Sequence, residues 1–135
     1  MADLILDSTL FLDYVRGDSG AKKVVDQIIQ GSLSCSFCPV TLVELWQADG
    51  LTRKDEIVYQ ALLGFLEEVS LSRESAKTAG LWLSSLPEQE RPTYQPYALL
   101  AAIAKERQEA ICTCHPEPFR VFYDNVVSYR EPPAQ

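Results

Sequence analysis

Short apolar runs alternate with segments of helical periodicity along almost the whole chain. The runs lie at residues 4–6, 33–37, 69–71 and 110–113, and a shorter run at residues 126–127 suits an edge strand. Runs of this length are too short for helices and indicate buried strands. Strands that alternate with helices predict a three-layer α/β/α fold around a mostly parallel sheet of four or five strands.

The helices are predicted from apolar residues that recur three and four positions apart. They lie between residues 8 and 17, 24 and 31, 39 and 49, 54 and 68, 72 and 86, and 98 and 108. Three prolines in residues 87–96 predict a loop there, so that Tyr97 stands at the start of the last long helix. The helix at residues 54–68 is expected to turn five apolar residues inward: Ile57, Ala61, Leu62, Phe65 and Leu66.

The length of the chain suits one domain. Of its 135 residues, 47% are hydrophobic, which is enough for a core without disulfides or a structural metal. We expect a single domain over residues 1–130 and a frayed tail at residues 131–135. No apolar run approaches the ~20 residues of a membrane span, and Asp3 and Asp7 interrupt the first run as no signal peptide would. The expectation is a cytoplasmic protein.

The chain carries a net charge of −7. This charge argues against binding of nucleic acid through an extended basic surface. A nuclease can nevertheless contact phosphate through a metal ion and a few local cations. Excess acid can also serve a basic partner, or solubility alone. Basic residues near the predicted site either contact RNA phosphates or form ordinary solvated helix faces; they are Arg16, Lys22, Lys23, Lys105 and Arg107.

Four cysteines occur as two close pairs, Cys35 with Cys38 and Cys112 with Cys114. Disulfides are not expected in a cytoplasmic protein. The C-x-x-C and C-x-C-H spacings admit a zinc site. The alternative is that small buried thiols fill strand positions, since both pairs lie in runs that indicate strands.

Asp7 directly follows the first predicted strand, and Glu44 lies about one turn into the helix that follows the second. Ligands collect at the carboxyl ends of parallel strands, and helical side chains lean toward their own N-terminus. We therefore expect the two carboxylates to converge and to attract a hard divalent cation. The alternative is that Asp7 caps a helix and Glu44 is a solvated helix residue.

Four segments resemble the signatures of the PIN domain family, in particular of VapC-type toxins. They are LILDSTLFLDYVRGD at residues 4–18, VTLVEL at residues 40–45, ALLAAIA at residues 98–104, and ICT at residues 111–113 followed shortly by Phe119. The similarity covers nearly the whole chain in the order and spacing of that family. It implies a Mg²⁺- or Mn²⁺-dependent ribonuclease, a homodimer, and an antitoxin-like protein partner.

The resemblance assigns roles to particular residues. It implies that Asp7 and Glu44 hold the metal, and that Ser8, Thr9 and Thr41 position ligands or cap helices. The third acid of the family corresponds to Tyr97. The fourth acidic position, two residues after Thr113, corresponds to His115, which is followed by Glu117.

These departures bear on whether the site works. Two carboxylates alone hold Mg²⁺ weakly, because the ion parts reluctantly with its waters. His115 suits Mn²⁺ or Zn²⁺ better than Mg²⁺. Glu117 is a candidate replacement acid, or part of a polar surface loop, and Tyr97 is alternatively a half-buried aromatic residue. Two hypotheses remain: an active PIN-like ribonuclease, and a degenerate PIN domain that binds RNA or protein.

Overall fold

A five-stranded sheet lies at the centre of the computed structural model, which describes residues 2–130. The strands are β1 (Leu4–Leu6), β2 (Cys35–Phe37), β3 (Glu67–Glu68), β4 (Ala110–Thr113) and β5 (Val126–Ser128). Their order across the sheet is β3-β2-β1-β4-β5, and every neighbouring pair is parallel. The predicted parallel sheet is confirmed, with β5 as an edge strand. The tail predicted at residues 131–135 lies outside the described residues.

Helices cover both faces of the sheet. They are α1 (Ser8–Val15), α2 (Ser19–Ile29), α3 (Pro39–Gln47), α4 (Arg53–Leu63), α5 (Arg73–Ser84), α6 (Arg91–Arg107) and α7 (Glu117–Arg120), with a 3-10 turn at Glu88–Glu90. Side chains alternate along a strand, so Leu6 packs against α1, α2 and α4, whereas Ile5 packs against α6 and α7. This arrangement confirms the three-layer prediction. Within residues 2–130, no helix is both long and apolar enough to cross a bilayer.

The inward face of α4 differs from the prediction. Ile57, Ala61 and Phe65 are exposed, and the predicted inward orientation of these three is wrong, whereas Leu62 is buried as predicted. Tyr59 takes the inward position instead, because its ring packs edge-on against Phe11 at a centroid distance of 6.2 Å. Periodicity alone could not choose between the two faces, since apolar residues lie on both.

The third strand also begins earlier than predicted. The helix α4 ends at Leu63, and the strand occupies Glu67–Glu68 rather than residues 69–71. Val69 is buried and its backbone N–H donates to the carbonyl of Phe37 at 2.9 Å, directly beyond the strand. An edge strand tolerates charged side chains, which explains how two glutamates occupy this position.

The proline-rich segment at residues 87–96 is mostly helical rather than a loop. The helix α6 begins at Arg91, with Pro92 in its first turn, where a missing N–H costs nothing. Pro96 lies inside the helix and removes one hydrogen bond, a cost of roughly 3 kcal/mol. Burial of Leu100, Ile103 and neighbouring alanines of α6 offsets this cost. Tyr97 therefore lies in the second turn of α6 and not at its start.

The cysteine pairs do not assemble a metal site. Cys35 and Cys112 pack on one face of the sheet and Cys38 on the other. Burial raises the pKa of the Cys35 and Cys112 thiols to about 12, and this disfavours the thiolates that zinc requires. All four cysteines are free. Within residues 2–130 no group of three or more His, Cys, Asp or Glu side chains is placed to hold a metal ion, so the structure favours the alternative that the thiols fill positions in the strands and at their ends.

Candidate active site

The candidate site lies at the carboxyl edge of the sheet, at the boundary between β1 and β4. The chain places β2 and β3 on one side of β1 and β4 and β5 on the other. A cavity of ≈ 680 Å³ opens there between α1, α3, α6 and the loop after β4. Ligands of open α/β folds bind at such a switch point. Seven of the residues predicted from the sequence line it: Asp7, Ser8, Thr9, Thr41, Glu44, Tyr97 and His115.

Asp7 is fixed by three hydrogen bonds. Its Oδ1 accepts from the backbone N–H of Thr9 at 3.1 Å and from the Thr9 hydroxyl at 2.6 Å. Its Oδ2 accepts from the hydroxyl of Thr113 at 2.6 Å. Asp7 is also the N-cap of α1, so the capping role is real and coexists with a place in the cavity.

The two threonines tie Asp7 to the loop after β4. The Thr9 hydroxyl accepts from the backbone N–H of Cys114 at 3.1 Å, and the Thr113 hydroxyl accepts from that of His115 at 3.1 Å. Each threonine therefore donates to the carboxylate and accepts from the loop. This network holds Asp7 in one orientation before any ligand binds, which is how an active site is preorganised.

Glu44 reaches the same cavity from α3. Its Oε2 accepts a hydrogen bond of 2.6 Å from the hydroxyl of Ser8, the residue next to Asp7. Ser8 is buried, whereas Glu44 is exposed to the cavity. The structure therefore brings the two carboxylates together as the sequence predicted.

Burial makes the negative charge of Asp7 energetically unfavourable. Burial is the largest effect and, with the nearby charge of Glu44, raises the pKa of Asp7 to about 6, although hydrogen bonds from Thr113 and Thr9 lower it. Only 5% of the residue is exposed. A carboxylate held in this way gains from any cation that enters the cavity.

Tyr97, which the resemblance aligned with the third acid of the family, lies in the wall of the cavity. Its ring packs edge-on against Phe119 at a centroid distance of 5.1 Å, on an apolar wall of the cavity. Burial, Glu44 and Asp7 all raise the pKa of Tyr97, in that order, so its hydroxyl stays protonated. The site therefore gains an aromatic wall and a neutral hydroxyl in place of a third negative charge.

The structure does not bring Glu117 to the other acids. Glu117 begins the short helix α7, where the alternative expectation was a polar surface loop, and it is not part of the cavity lining. Its Oε2 lies 3.7 Å from Nδ1 of His115, and both side chains are mostly exposed. A catalytic role for Glu117 stays a prediction that requires this loop to move.

The oxygen atoms near Asp7 supply some, but not all, of the ligands that a hard cation prefers. The hydrogen bonds leave acceptor capacity on Oδ2 of Asp7 and on Oε1 of Glu44. Among residues 2–130, no group of three or more His, Cys, Asp or Glu side chains is placed to hold a metal ion. The residues therefore fit a single Mg²⁺ or Mn²⁺ that keeps most of its water, which is a weakly held ion.

Sequence reasoning missed the basic residue of the site. Arg130, two residues after the end of β5, lines the cavity, whereas the basic candidates named from the sequence do not. Lys105 lies over the ring of Trp82 at 5.5 Å, and Arg107 pairs with Glu109. The available signal was the position of Arg130 after the last strand, because parallel strands end at the same edge of a sheet.

The fold and the site together define an α/β domain with paired carboxylates at the carboxyl edge of a parallel sheet. The sequence matches no known protein-family profile and no curated protein. Solved structures do resemble it. A chain of the DNA-bound VapBC from Salmonella typhimurium superposes with a TM-score of 0.76 and 16% identity, over 96% of this chain and 99% of that chain.

Two further structures give the same result. A chain of FitAcB from Neisseria gonorrhoeae has a TM-score of 0.71 and 16% identity, over 93% of this chain and 97% of that one. A chain of a toxin-antitoxin complex from Klebsiella pneumoniae has a TM-score of 0.70 and 16% identity, over 95% and 98%. Identity this low shows the fold alone. The PIN-like fold of VapC-type proteins, predicted from the sequence, is confirmed.

Proposed function

We propose that the protein is a PIN-like, metal-dependent ribonuclease that hydrolyses RNA phosphodiesters. The observation that carries the proposal is the convergence of Asp7 and Glu44, linked through Ser8, in one cavity at the carboxyl edge of the sheet. Two oxygen-donating carboxylates that repel each other attract a hard divalent cation. Asp7 and Glu44 would hold Mg²⁺ or Mn²⁺ there, and the ion would supply a Lewis acid for the phosphodiester and lower the pKa of a bound water.

The residues of the chain divide the remaining work. Asp7 and Glu44 would bind the cation, and Thr9, Thr113 and Ser8 fix the orientation of these carboxylates. Rigid positioning of this kind lowers the reorganisation needed during reaction. The apolar wall that includes Tyr97 excludes water from one side of the cavity, which strengthens electrostatic interactions inside it.

Glutamate variants test the assignment of the acids. The Glu44→Gln variant is expected to lose at least about tenfold of RNA cleavage in Mn²⁺, because a metal ligand loses its charge. The Glu117→Gln variant is the matched comparison: Glu117 lies outside the cavity, so a smaller loss than in Glu44→Gln is expected unless the loop moves Glu117 to the site. Cleavage of a labelled single-stranded RNA in Mg²⁺ and Mn²⁺ measures both. Equal losses in the two variants would instead assign Glu117 to the active site, and full activity in Glu44→Gln would contradict the mechanism.

We extend the proposal to the partners and the cell compartment. The similar structures include a toxin-antitoxin complex, and this supports an antitoxin-like protein partner for the present chain. We also propose RNA as substrate, a homodimer as the assembled form, and the cytoplasm as the compartment. The acidic chain, with a net charge of −7, is consistent with a basic partner segment.

A specific observation favours a second candidate, a degenerate PIN domain that binds RNA or protein without cleaving. Tyr97 replaces the third acid, and no third metal-ligating side chain joins Asp7 and Glu44 within the described residues. Titration of Mn²⁺ by calorimetry separates the two candidates. Binding that disappears in Asp7→Asn favours the ribonuclease, and no detectable binding favours the degenerate domain.

Restoring the third acid is a direct test of the alignment. The Tyr97→Asp variant is expected to bind Mn²⁺ about tenfold more tightly than the Tyr97→Asn variant, because an added carboxylate raises the negative charge of the site. The asparagine variant has the same size and controls for loss of the ring. Calorimetry of the two variants measures the difference. Equal affinities would mean that position 97 does not face the metal.

A further inference from the structure

Arg130 is the one lysine or arginine among the described residues that line the acidic cavity. It follows β5, whose carboxyl end shares an edge of the sheet with the ends of β1 and β4. Asp7 and the loop after β4 lie at that same edge. A positive charge therefore faces the cavity that holds two carboxylates.

Contacts with the first two helices fix the position of Arg130. Its Nη2 donates to Oδ2 of the buried Asp13 at 2.8 Å, and the same oxygen accepts from the Tyr129 hydroxyl at 2.5 Å. The backbone of Tyr129 packs directly on Gly20, where an added Cβ would lie 2.3 Å from the Tyr129 carbonyl oxygen. The segment that carries Arg130 is thus held against α1 and α2.

The ion pair with Asp13 leaves much of the guanidinium available. The Arg130 side chain is 53% exposed, whereas that of Asp13 is 9% exposed. A guanidinium has five N–H donors in a planar fork, and its geometry matches phosphate oxygens. One edge of this fork can stay on Asp13 while another binds a second anion in the cavity.

We propose that Arg130 binds a backbone phosphate of single-stranded RNA in the acidic cavity. The choice of RNA rests on the proposed function. The net charge of −7 gives the chain no general attraction for a polyanion, and Asp7 and Glu44 repel one. A fixed cation at the cavity is the feature that offsets this repulsion where the phosphodiester must lie. Asp13 acts as the positioning residue that orients the guanidinium.

The salt dependence of RNA binding tests the proposal. Binding of a fluorescein-labelled, mixed-sequence single-stranded RNA to the full chain is followed by anisotropy in EDTA, from low salt upward. Removal of one phosphate contact on a single strand is expected to reduce the slope of log K against log salt by about 0.7. We expect this reduction, and several-fold weaker binding at low salt, in Arg130→Gln.

Two control variants separate phosphate binding from a structural role. Asp13→Asn removes the negative charge but keeps an amide oxygen that accepts from the guanidinium and orients it, so its salt slope is expected to stay at the wild-type value. Arg53→Gln removes an exposed arginine that does not line the cavity, and it is expected to change nothing. Should Arg130→Gln fail to fold, the double variant Asp13→Asn/Arg130→Gln leaves no unpaired charge, and its slope is compared with that of Asp13→Asn.

The outcomes distinguish this proposal from the proposed catalysis, because EDTA prevents metal-dependent cleavage. A slope reduced only when Arg130 is lost supports phosphate binding, even if the wild type proves unable to cleave RNA. Slopes that are the same in wild type and Arg130→Gln overturn it, even if the wild type cleaves. Equal reductions in Arg130→Gln and Asp13→Asn, or no binding by the wild type at low salt, also overturn it.

Discussion

The Asp7→Asn variant is expected to lose at least about 100-fold of metal-dependent RNA cleavage and yet to unfold at a higher urea concentration than the wild type. The loss follows from removal of a proposed metal ligand, since outer partners of ligands already cost 10–100-fold. The gain follows from burial, which raises the pKa of Asp7 to about 6. At pH 7 this pKa shift corresponds to a loss of about 1–3 kcal/mol in the free energy of unfolding, and the neutral asparagine avoids that loss.

The sign of the pH dependence is fixed by the direction of that shift. An acid whose pKa is higher in the folded than in the unfolded state binds more protons when folded. Its contribution to stability therefore falls as the pH rises from 3.8, the ordinary pKa of an aspartate, through about 6. The stability gain of Asp7→Asn over the wild type is expected to be small near pH 4 and to reach its full size by pH 7. Urea unfolding at both pH values measures it.

A second N-cap aspartate provides the matched control. Asp18 caps α2 through a hydrogen bond to the backbone N–H of Ala21 at 2.9 Å, and it does not line the cavity. The Asp18→Asn variant keeps a good cap, so we expect wild-type activity and nearly unchanged stability. A stability gain of Asp7→Asn that did not vary with pH would contradict the account of Asp7. RNA cleavage retained by the Asp7→Asn variant would contradict it as well.

Removal of the Arg107 side chain is expected to lower the free energy of unfolding by about 3–5 kcal/mol, because it leaves a buried charge without its partner. The side chain of Glu109 is 0% exposed and accepts from Nε of Arg107 at 2.6 Å. Its other contact is with the buried hydroxyl of Ser36, at 3.0 Å. Arg107 also pairs with Glu67 at 3.0 Å, and so links β3 to the start of β4. Urea denaturation of Arg107→Ala measures the loss.

Two comparisons distinguish this buried charge from a general loss of packing. Arg53→Ala, at an exposed arginine of α4, is expected to cost less than about 0.5 kcal/mol. The double variant Arg107→Met/Glu109→Leu removes both charges and is expected to recover most of the stability lost in Arg107→Ala. A double variant as unstable as the single one would show that the pair stabilises the fold through packing alone.

The fold was predictable where local signals were strong. The runs that became β1 and β4, and the alternation with helices, sufficed for the parallel three-layer architecture. Prediction failed where tertiary packing chose between local alternatives. Both faces of α4 carry apolar residues, and Tyr59 rather than Ile57 met the core. Pro96 reads locally as a helix breaker, yet burial of the rest of α6 outweighs its cost.

The site was predictable to the extent that its residues sit at strand ends. Asp7 follows β1, and the lean of helical side chains brings Glu44 toward it, so both could be found from the chain alone. For Arg130 the available local signal was its place after the last strand, but its pairing with the positioning residue Asp13 could not be predicted. They are 117 positions apart, and nothing local in either segment indicates that β5 ends beside α1.

What the sequence by itself determined is the class of fold and the presence of an acidic pair at the carboxyl edge of the sheet. Both follow from short-range patterns, namely strand length, helical periodicity and the residue that ends each strand. The tertiary structure decided what surrounds that pair: the hydrogen bonds from two threonines to Asp7, the exposed position of Glu117, and the place of Arg130 in the cavity. These features depend on which distant segments pack together, and that choice is made by burial over the whole domain rather than by any local run of residues.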